Sequence, residues 1–141
     1  LREQEEEQKV GLKKRPISKP SYIEGVDDAE IIASTIIGEA GGEGNKGMIA
    51  IKNVLENRAK KRGTTPAGES IRPKQFSIQS VIDQNKSHSK WAMAMRIARG
   101  SYTDVTKGAN MYYAHNKIKP PYWTKDWDKT VVIGNHTFGI A

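Results

Sequence analysis

The stretch that decides the fold reads Ala29-Glu30-Ile31-Ile32-Ala33-Ser34-Thr35-Ile36-Ile37-Gly38-Glu39-Ala40-Gly41-Gly42-Glu43-Gly44. Apolar side chains recur in it at the spacing of one helix face, at positions 29, 32, 33, 36, 37 and 40. Asp27 or Asp28, just upstream, can accept hydrogen bonds from the free amides of a first turn, and Gly41-Gly42 ends the pattern. This stretch therefore predicts a first helix with a buried face.

Glu39 lies where this apolar stripe ends. It follows Ile36 by three residues and Ile32 by seven, so it extends the buried face into the last helical turn. Partial burial favours the neutral form of a carboxylic acid, and the negative end of the helix dipole has the same effect. Cleavage of a glycosidic bond requires such an acid, because the leaving oxygen must receive a proton. A glutamate exposed at a frayed helix end is the alternative, and spacing alone leaves both open.

Two more helices are predicted downstream. Residues 46–61 carry an apolar stripe at helical spacing, which Gly63 interrupts. Residues 89–99 have the same periodicity, and Gly100 follows where a left-handed cap belongs. Residues 63–75, between these helices, are predicted to be loop.

The pattern changes near the C-terminus. Residues 111–114 and 130–133 are short runs typical of β-strands. Gly134-Asn135 then predicts the two-residue turn of a hairpin that runs on to Phe138. The sequence therefore predicts an α+β domain that is mainly helical, with a small β-hairpin or short sheet near the C-terminus.

The chain divides near residue 27. Residues 1–26 combine an acidic block, the basic cluster Lys13-Lys14-Arg15 and two prolines, with little apolar periodicity. This composition predicts an extended arm or linker. Residues 27–141 are long enough for one domain with a single cleft, and we expect them to form the catalytic domain.

Charge and composition narrow the classes of function. Residues 1–30 carry a net charge of −2, whereas residues 31–141 hold 17 Lys or Arg against 8 Asp or Glu, a net charge of +9. A cationic surface attracts polyanions, and both nucleic acid and the bacterial cell wall qualify. The absence of cysteine excludes disulfides and thiolate chemistry. The sequence contains no run of about 18 apolar residues, so no membrane insertion is expected.

Two patterns that could suggest a cofactor do not support one. His88, His115 and His136 lack the close spacing of metal ligands, so no metal site is predicted. Residues 42–47 match the glycine spacing of a dinucleotide-binding loop, but a predicted helix precedes them where that loop requires a strand. No cofactor is expected.

An aromatic-rich segment in the second half offers a lining for a sugar-binding cleft. Five aromatic residues lie within sixteen positions: Tyr112, Tyr113, Tyr122, Trp123 and Trp127. Sugar rings present an apolar face and a hydroxyl rim, which aromatic rings and nearby polar groups complement. We expect Tyr113 and Trp123 to line the cleft. Packing in the core is the alternative for two or three of the five.

Several blocks of sequence, in order, resemble one known family. They are residues 33–44, Gly47-Met48-Ile49-Ala50-Ile51, Val54-Leu55-Glu56-Asn57-Arg58, Gln75-Phe76-Ser77, Thr106-Lys107-Gly108-Ala109 with Tyr112-Tyr113, and Ile133-Gly134-Asn135-His136-Thr137-Phe138. They resemble the spore cortex-lytic cell wall hydrolases of the SleB/CwlJ type, and the resemblance covers roughly residues 29–138. Blocks in the right order are far more specific than the single triplet Gly38-Glu39-Ala40.

The resemblance implies a lysozyme- or transglycosylase-like domain that cleaves peptidoglycan between N-acetylmuramic acid and N-acetylglucosamine. It implies a single glutamate, here Glu39, that acts as general acid and then as base. In a lytic transglycosylase the C6 hydroxyl of the muramic acid attacks the anomeric carbon, so one carboxylate suffices and a 1,6-anhydro end forms. Substrate-binding positions are expected at Glu43, Gln75, Phe76, Ser77, Tyr112, Tyr113, Trp123 and His136.

Two other functions stay open. A lysozyme-like hydrolase would need a second carboxylate to deliver water. Glu43 is nearest to Glu39 in sequence, but we expect it to be a solvated acid near the start of the second helix, with a supporting role at most. The other alternative is a non-catalytic cationic module that binds cell wall or nucleic acid, although no nucleic-acid partner is expected.

The biological setting is expected to be the bacterial cell wall, in the periplasm, in the spore cortex or as part of a phage virion. Residues 1–26 would suit attachment to a larger phage or cell-envelope assembly, as in a phage lysin or a virion-associated component. The export route is not visible in the sequence.

Overall fold

Five α-helices followed by a small antiparallel sheet form the part of the chain that the computed structural model describes, residues 26–71 and 78–141. The helices are α1 (Asp28–Ala40), α2 (Asn45–Arg62), α3 (Pro66–Ile71), α4 (Ile78–Asn85) and α5 (Trp91–Arg99). The strands are β1 (Met111–Ala114), β2 (Asp128–Ile133) and β3 (His136–Ile140), with a 3₁₀ turn at Tyr122–Thr124 between β1 and β2. The predicted mainly helical α+β class is confirmed.

Helix α1 is the central helix of the fold. Asp27 caps it, because its side chain accepts a hydrogen bond from the Ala29 amide at 3.0 Å. The other four described helices all pack against α1. Ile31 and Ile36 are therefore 1% and 0% exposed, and burying side chains of this size stabilises the fold by about 1.5–3 kcal/mol each. This burial fixes the last turn of α1, which carries Glu39.

Helix α2 docks the sheet onto the helices through polar side chains. Arg58 donates from Nε to the Asn110 carbonyl at 2.7 Å, and Asn57 donates to the Ala109 carbonyl at 2.8 Å. The Arg58 guanidinium also lies over the Tyr112 ring, 5.6 Å from its centre. These contacts satisfy backbone carbonyls just before β1 and set the position of that strand against α2.

The sheet places the turn between β2 and β3 close to the end of α1. Its strand order is β1-β3-β2, and His136 pairs with Ala114 on one side and with Ile133 on the other. Gly134 takes a left-handed backbone with φ 56°, which the predicted Gly134-Asn135 turn requires. The predicted hairpin is therefore confirmed.

Two local predictions are wrong. Residues 63–75 are not all loop, because α3 forms within them; the Thr65 hydroxyl accepts from the Gly68 amide at 3.0 Å and Pro66 begins the helix. Gly100 is not a left-handed cap, since its backbone is extended at φ −91° and ψ 171°. Gly63, after α2, does take the left-handed conformation.

Most of the predicted arm, residues 1–26, lies outside the described residues. Val26 is described and packs against the helical core. Among the described residues, no helix is both long enough and apolar enough to cross a bilayer.

We predict that breaking the ion pair between α2 and α3 strongly destabilises the fold. Arg62 Nε lies 3.0 Å from Glu69 Oε2, and both side chains are almost fully buried. Glu69→Ala leaves a buried guanidinium without its carboxylate and should lower the free energy of unfolding by about 3–5 kcal/mol.

Denaturation in urea measures this loss. The matched control is Glu30→Ala, which breaks the partly exposed pair of Glu30 with Lys86 at 2.8 Å and should cost less than about 1 kcal/mol. Equal losses in the two variants would contradict the assignment.

Candidate active site

A cleft of about 320 Å³ lies between the end of α1 and the β-hairpin. The last turn of α1 and the glycine-rich loop after it form one wall, and they contribute Glu39 and Glu43. The hairpin turn forms the opposite wall with Asn135 and His136. Two carboxylates and two imidazoles, those of His88 and His136, therefore share one space.

Glu39 is half-buried on this wall. Its neighbour Ala40 is 1% exposed, whereas Gly38 lies at the surface, so the α1 backbone passes from core to solvent at this point. Glu39 lines the cleft rather than facing bulk solvent. A negative charge on Glu39 also acts on His136 across the cleft, and by itself it would raise the pKa of that ring.

Glu43 is held by the hairpin. Its Oε1 accepts a hydrogen bond from the Asn135 amide at 2.9 Å and lies 3.2 Å from Nδ1 of His136. Gly134 permits this approach, because a Cβ there would lie 2.8 Å from the same oxygen. The expectation of a solvated acid at the start of α2 is wrong: the N-cap of α2 is Gly44, without a side-chain cap.

The contact with Glu43 fixes the tautomer of His136. A carboxylate oxygen can only accept a hydrogen bond, so Nδ1 of the neutral ring carries the proton and donates it. The ring is 6% exposed and packs edge-on against Tyr112, with the centres 5.5 Å apart. Burial lowers the pKa of His136, and this outweighs the raising effect of the charges on Glu39 and Glu43. His136 is therefore a neutral, oriented side chain of the cleft wall.

The predicted aromatic residues are mostly buried and do not line the cleft. Tyr112 is buried in the main core, next to Phe138 and His136. Tyr113 is 5% exposed and packs on Trp127 in a second apolar cluster, against which the half-buried Trp123 also packs. The structure does not bring Tyr113 or Trp123 into the lining of the cleft beside Glu39.

Four polar residues of the described cleft were not among the predicted site residues: His88, Asn116, Lys117 and Asn135. His88 was considered only as a metal ligand, yet it lies against the glycine loop, where a Cβ on Gly41 would be 3.1 Å from its Nε2. Lys90, two residues on, donates from Nζ to the Glu43 carbonyl at 2.8 Å. No local sequence pattern predicts that His88 and Lys90 lie close to this loop, because their position depends on the packing of the following helix, α5, against α1.

Gln75, Phe76 and Ser77 lie outside the described residues. In the part of the chain that is described, no group of three or more His, Asp or Glu side chains could hold a metal ion. The described cleft therefore offers acid–base groups: a half-buried carboxylate that can exchange a proton with a ligand, and a second carboxylate engaged with the hairpin.

Comparison with known proteins gives one family and two similar folds. The family described as Cell Wall Hydrolase matches residues 42–139, a segment that begins three residues after Glu39. The catalytic domain of the germination-specific lytic transglycosylase SleB from Bacillus anthracis has 23% identity and a TM-score of 0.62, covering 82% of this chain and 98% of that one. The catalytic domain of the Bacillus cereus SleB protein has 21% identity and a TM-score of 0.59, covering 86% and 98%. No curated protein matches the chain.

At these identities the two structures show a shared fold. The family match covers more than half of the chain, and it agrees with the resemblance drawn from the sequence blocks. Blocks at residues 47–51, 54–58, 106–109 and 133–138 all lie inside the matched segment.

We predict that acidification destabilises the fold through His136. Above the usual histidine pKa of 6.5, the ring is neutral in both the folded and the unfolded chain. As the pH falls through 6.5, the unfolded chain takes up a proton that the folded chain does not, because burial lowers the pKa of His136 in the fold. The free energy of unfolding should therefore decrease in this window.

His136→Asn tests the assignment, since asparagine cannot titrate but keeps an N–H donor near the position of Nδ1. Urea denaturation from about pH 7.5 to about pH 5 should show a smaller loss of stability for this variant than for the native chain. Carboxylates, including Glu39 and Glu43, and the nearby His115 remain in both proteins. An identical pH dependence would exclude His136 as the cause.

Proposed function

Because the chain belongs to the Cell Wall Hydrolase family, we propose that it cleaves the glycan strands of bacterial peptidoglycan. The bond cleaved is the one between N-acetylmuramic acid and N-acetylglucosamine, and Glu39 is the catalytic acid. The observation that carries the proposal is the position of Glu39, half-buried in a cleft at the end of a fully packed helix. A carboxylate in such a site can protonate a leaving glycosidic oxygen and is shielded from bulk water.

The reaction we propose is that of a lytic transglycosylase. Glu39 donates its proton to the glycosidic oxygen as the bond to the anomeric carbon breaks. The C6 hydroxyl of the same muramic acid attacks that carbon, and Glu39, now ionised, accepts the hydroxyl proton. A 1,6-anhydro ring closes, no water is consumed, and Glu39 returns to its starting form.

The state of Glu43 favours this reaction over hydrolysis. A glycosidase that uses water or a covalent intermediate needs a second carboxylate facing the sugar. The Oε1 atom of Glu43 is engaged with the Asn135 amide and His136, so Glu43 acts as a positioning residue that holds the hairpin against the end of α1. A lysozyme-like hydrolase is the second candidate, since Glu43 also lines the cleft.

The setting we propose is the cell wall, with the cationic domain drawn to the anionic polymers of that layer. We also propose that residues 1–26 attach the domain to a larger phage or envelope assembly.

Glu39→Gln should abolish cleavage while leaving the fold intact. Loss of a general acid lowers the rate roughly 100- to 10,000-fold, and glutamine has almost the same shape as glutamate. Mass spectrometry of digested glycan strands measures both the amount and the identity of the products. The native chain should release fragments one water lighter than those of a hydrolase.

Glu30→Gln is the matched control, because Glu30 lies on the same helix, outside the cleft, and pairs with Lys86. It should cleave at the native rate. Native activity in Glu39→Gln would remove Glu39 from the mechanism, whereas products that retain the water would indicate the hydrolase.

Two substitutions at Glu43 separate positioning from catalysis. Glu43→Gln keeps an oxygen that can accept from the Asn135 amide and from His136, whereas Glu43→Ala removes both hydrogen bonds. If Glu43 positions the hairpin, the glutamine variant should retain most of the native kcat and the alanine variant should lose more. Both variants should still form anhydro ends. Equal and near-complete loss in both would instead assign Glu43 to the chemistry.

A further inference from the structure

A second groove lies beside β2, away from the two carboxylates. Its volume is about 630 Å³, against about 320 Å³ for the cleft at Glu39. Pro120, Pro121 and Tyr122 form an apolar wall, and Lys125 and Lys129 lie along it. Tyr122 is 68% exposed, the largest exposed fraction among the large apolar side chains of the described residues. We call this feature the Tyr122 groove.

The backbone that presents Tyr122 is fixed by hydrogen bonds. The Thr124 side chain donates to the Pro121 carbonyl at 2.7 Å, and the Trp127 amide donates to the Thr124 carbonyl at 3.1 Å. Beneath the turn, Trp127 is buried and packs on Trp123, with ring centres 5.0 Å apart. An exposed ring on a fixed backbone loses little entropy when a ligand stacks on it.

The chemistry of the groove suits a saccharide that carries carboxylates. The phenol ring can stack on the apolar face of a pyranose, and its hydroxyl can bond to the hydroxyl rim. Lys125 and Lys129 outnumber the one acid in the lining, Asp128, so the groove is cationic. Lysine ammonium groups pair with carboxylates. Peptidoglycan supplies both features, since each muramic acid carries a stem peptide with several carboxylates or, where the peptide is absent, a single free lactyl carboxylate.

The groove and the cleft lie at the two ends of one short loop. Lys117 lines the cleft and Pro120 lines the groove. Two residues lie between them, so three steps of about 3.8 Å separate these Cα atoms by at most about 11 Å. A strand of several sugars bound in the cleft is long enough to span this distance.

We propose that the Tyr122 groove binds a further segment of the peptidoglycan strand whose bond is cleaved beside Glu39. The inference rests on the proposed function and adds to it a distal binding site for the same substrate. Tyr122 stacks on a sugar, and Lys125 and Lys129 face the carboxylates of the strand. The groove increases the affinity for long strands without contributing to the chemical step.

Steady-state kinetics on long glycan strands and on the shortest oligosaccharide that the native chain cleaves tests this site. Tyr122→Ala should raise KM for long strands roughly 2- to 10-fold, with kcat unchanged, and should leave the short substrate unaffected. Tyr122→Phe, which keeps the ring, should stay close to native. Lys125→Gln should raise KM for long strands that carry peptides more than for strands from which the peptides were removed.

Tyr102→Ala is the matched control, since Tyr102 is also exposed, at 36%, and lies outside both cavities. It should behave as native on long strands. Unchanged KM in Tyr122→Ala, or equal losses on long and short substrates, would overturn the proposal.

Co-sedimentation of the same variants with insoluble peptidoglycan, in a Glu39→Gln background, keeps this test separate from catalysis. Weaker binding on Tyr122→Ala but not on Tyr102→Ala would support the groove, even if the native chain cleaved neither substrate and the proposed reaction failed. Equal binding in the two variants would contradict the groove, whatever the outcome for cleavage.

Discussion

The geometry of the cleft depends on the contact between the Glu43 carboxylate and the hairpin, because the two lie on opposite walls of it. One oxygen accepts from the Asn135 amide and lies within hydrogen-bonding distance of the His136 ring, so a loop of the helical part is joined to the tip of the sheet. The two side chains are only 14% and 7% exposed, and a charge-assisted hydrogen bond is strong in such surroundings. Glu43 is therefore a direct polar link between the two walls of the cleft.

The division of labour between the two glutamates follows from this contact. They are four positions apart, yet Glu39 belongs to the last turn of a packed helix and Glu43 to a glycine-rich loop that bends toward the hairpin. Helix packing gives Glu39 a fixed position with one side toward the cleft. Hydrogen bonding gives Glu43 a fixed position too, but engages one carboxylate oxygen. The same loop therefore separates a candidate proton donor from a structural acid.

Sequence predicts those features of the fold that depend on local physics. The period of the apolar residues in α1, the cap at Asp27 and the Gly134-Asn135 turn are all properties of a few adjacent residues, and the structure confirms them. Helix α3 is missing from the prediction because residues 63–75 contain glycine and proline, which favour loops, although a threonine cap followed by proline, as at Thr65-Pro66, is also a helix start. The apolar period of α1 indicated that Glu39 continues the buried face of the helix. The cleft beside Glu39 depends on how α1 packs in the fold, which the period does not predict.

The features missed in the cleft are those that arise from long-range contacts. The link from Glu43 to the hairpin joins residues more than ninety positions apart, and neither has a local signal for the other. No local pattern predicts the hydrogen bond from Lys90 to the Glu43 carbonyl or the burial of Tyr113 either. Aromatic composition indicated a sugar-binding surface, but only the packing shows that Tyr122 is the exposed ring of the segment.

If Glu39 is the catalytic acid, the side chain at position 39 must reach the glycosidic bond that is broken. A crystal structure of Glu39→Gln with a bound peptidoglycan oligosaccharide tests this contact. We expect a glycosidic oxygen within about 3 Å of the side-chain amide at position 39, with the C6 hydroxyl of the adjoining muramic acid on the same side. A saccharide bound with no glycosidic oxygen near position 39 would contradict it.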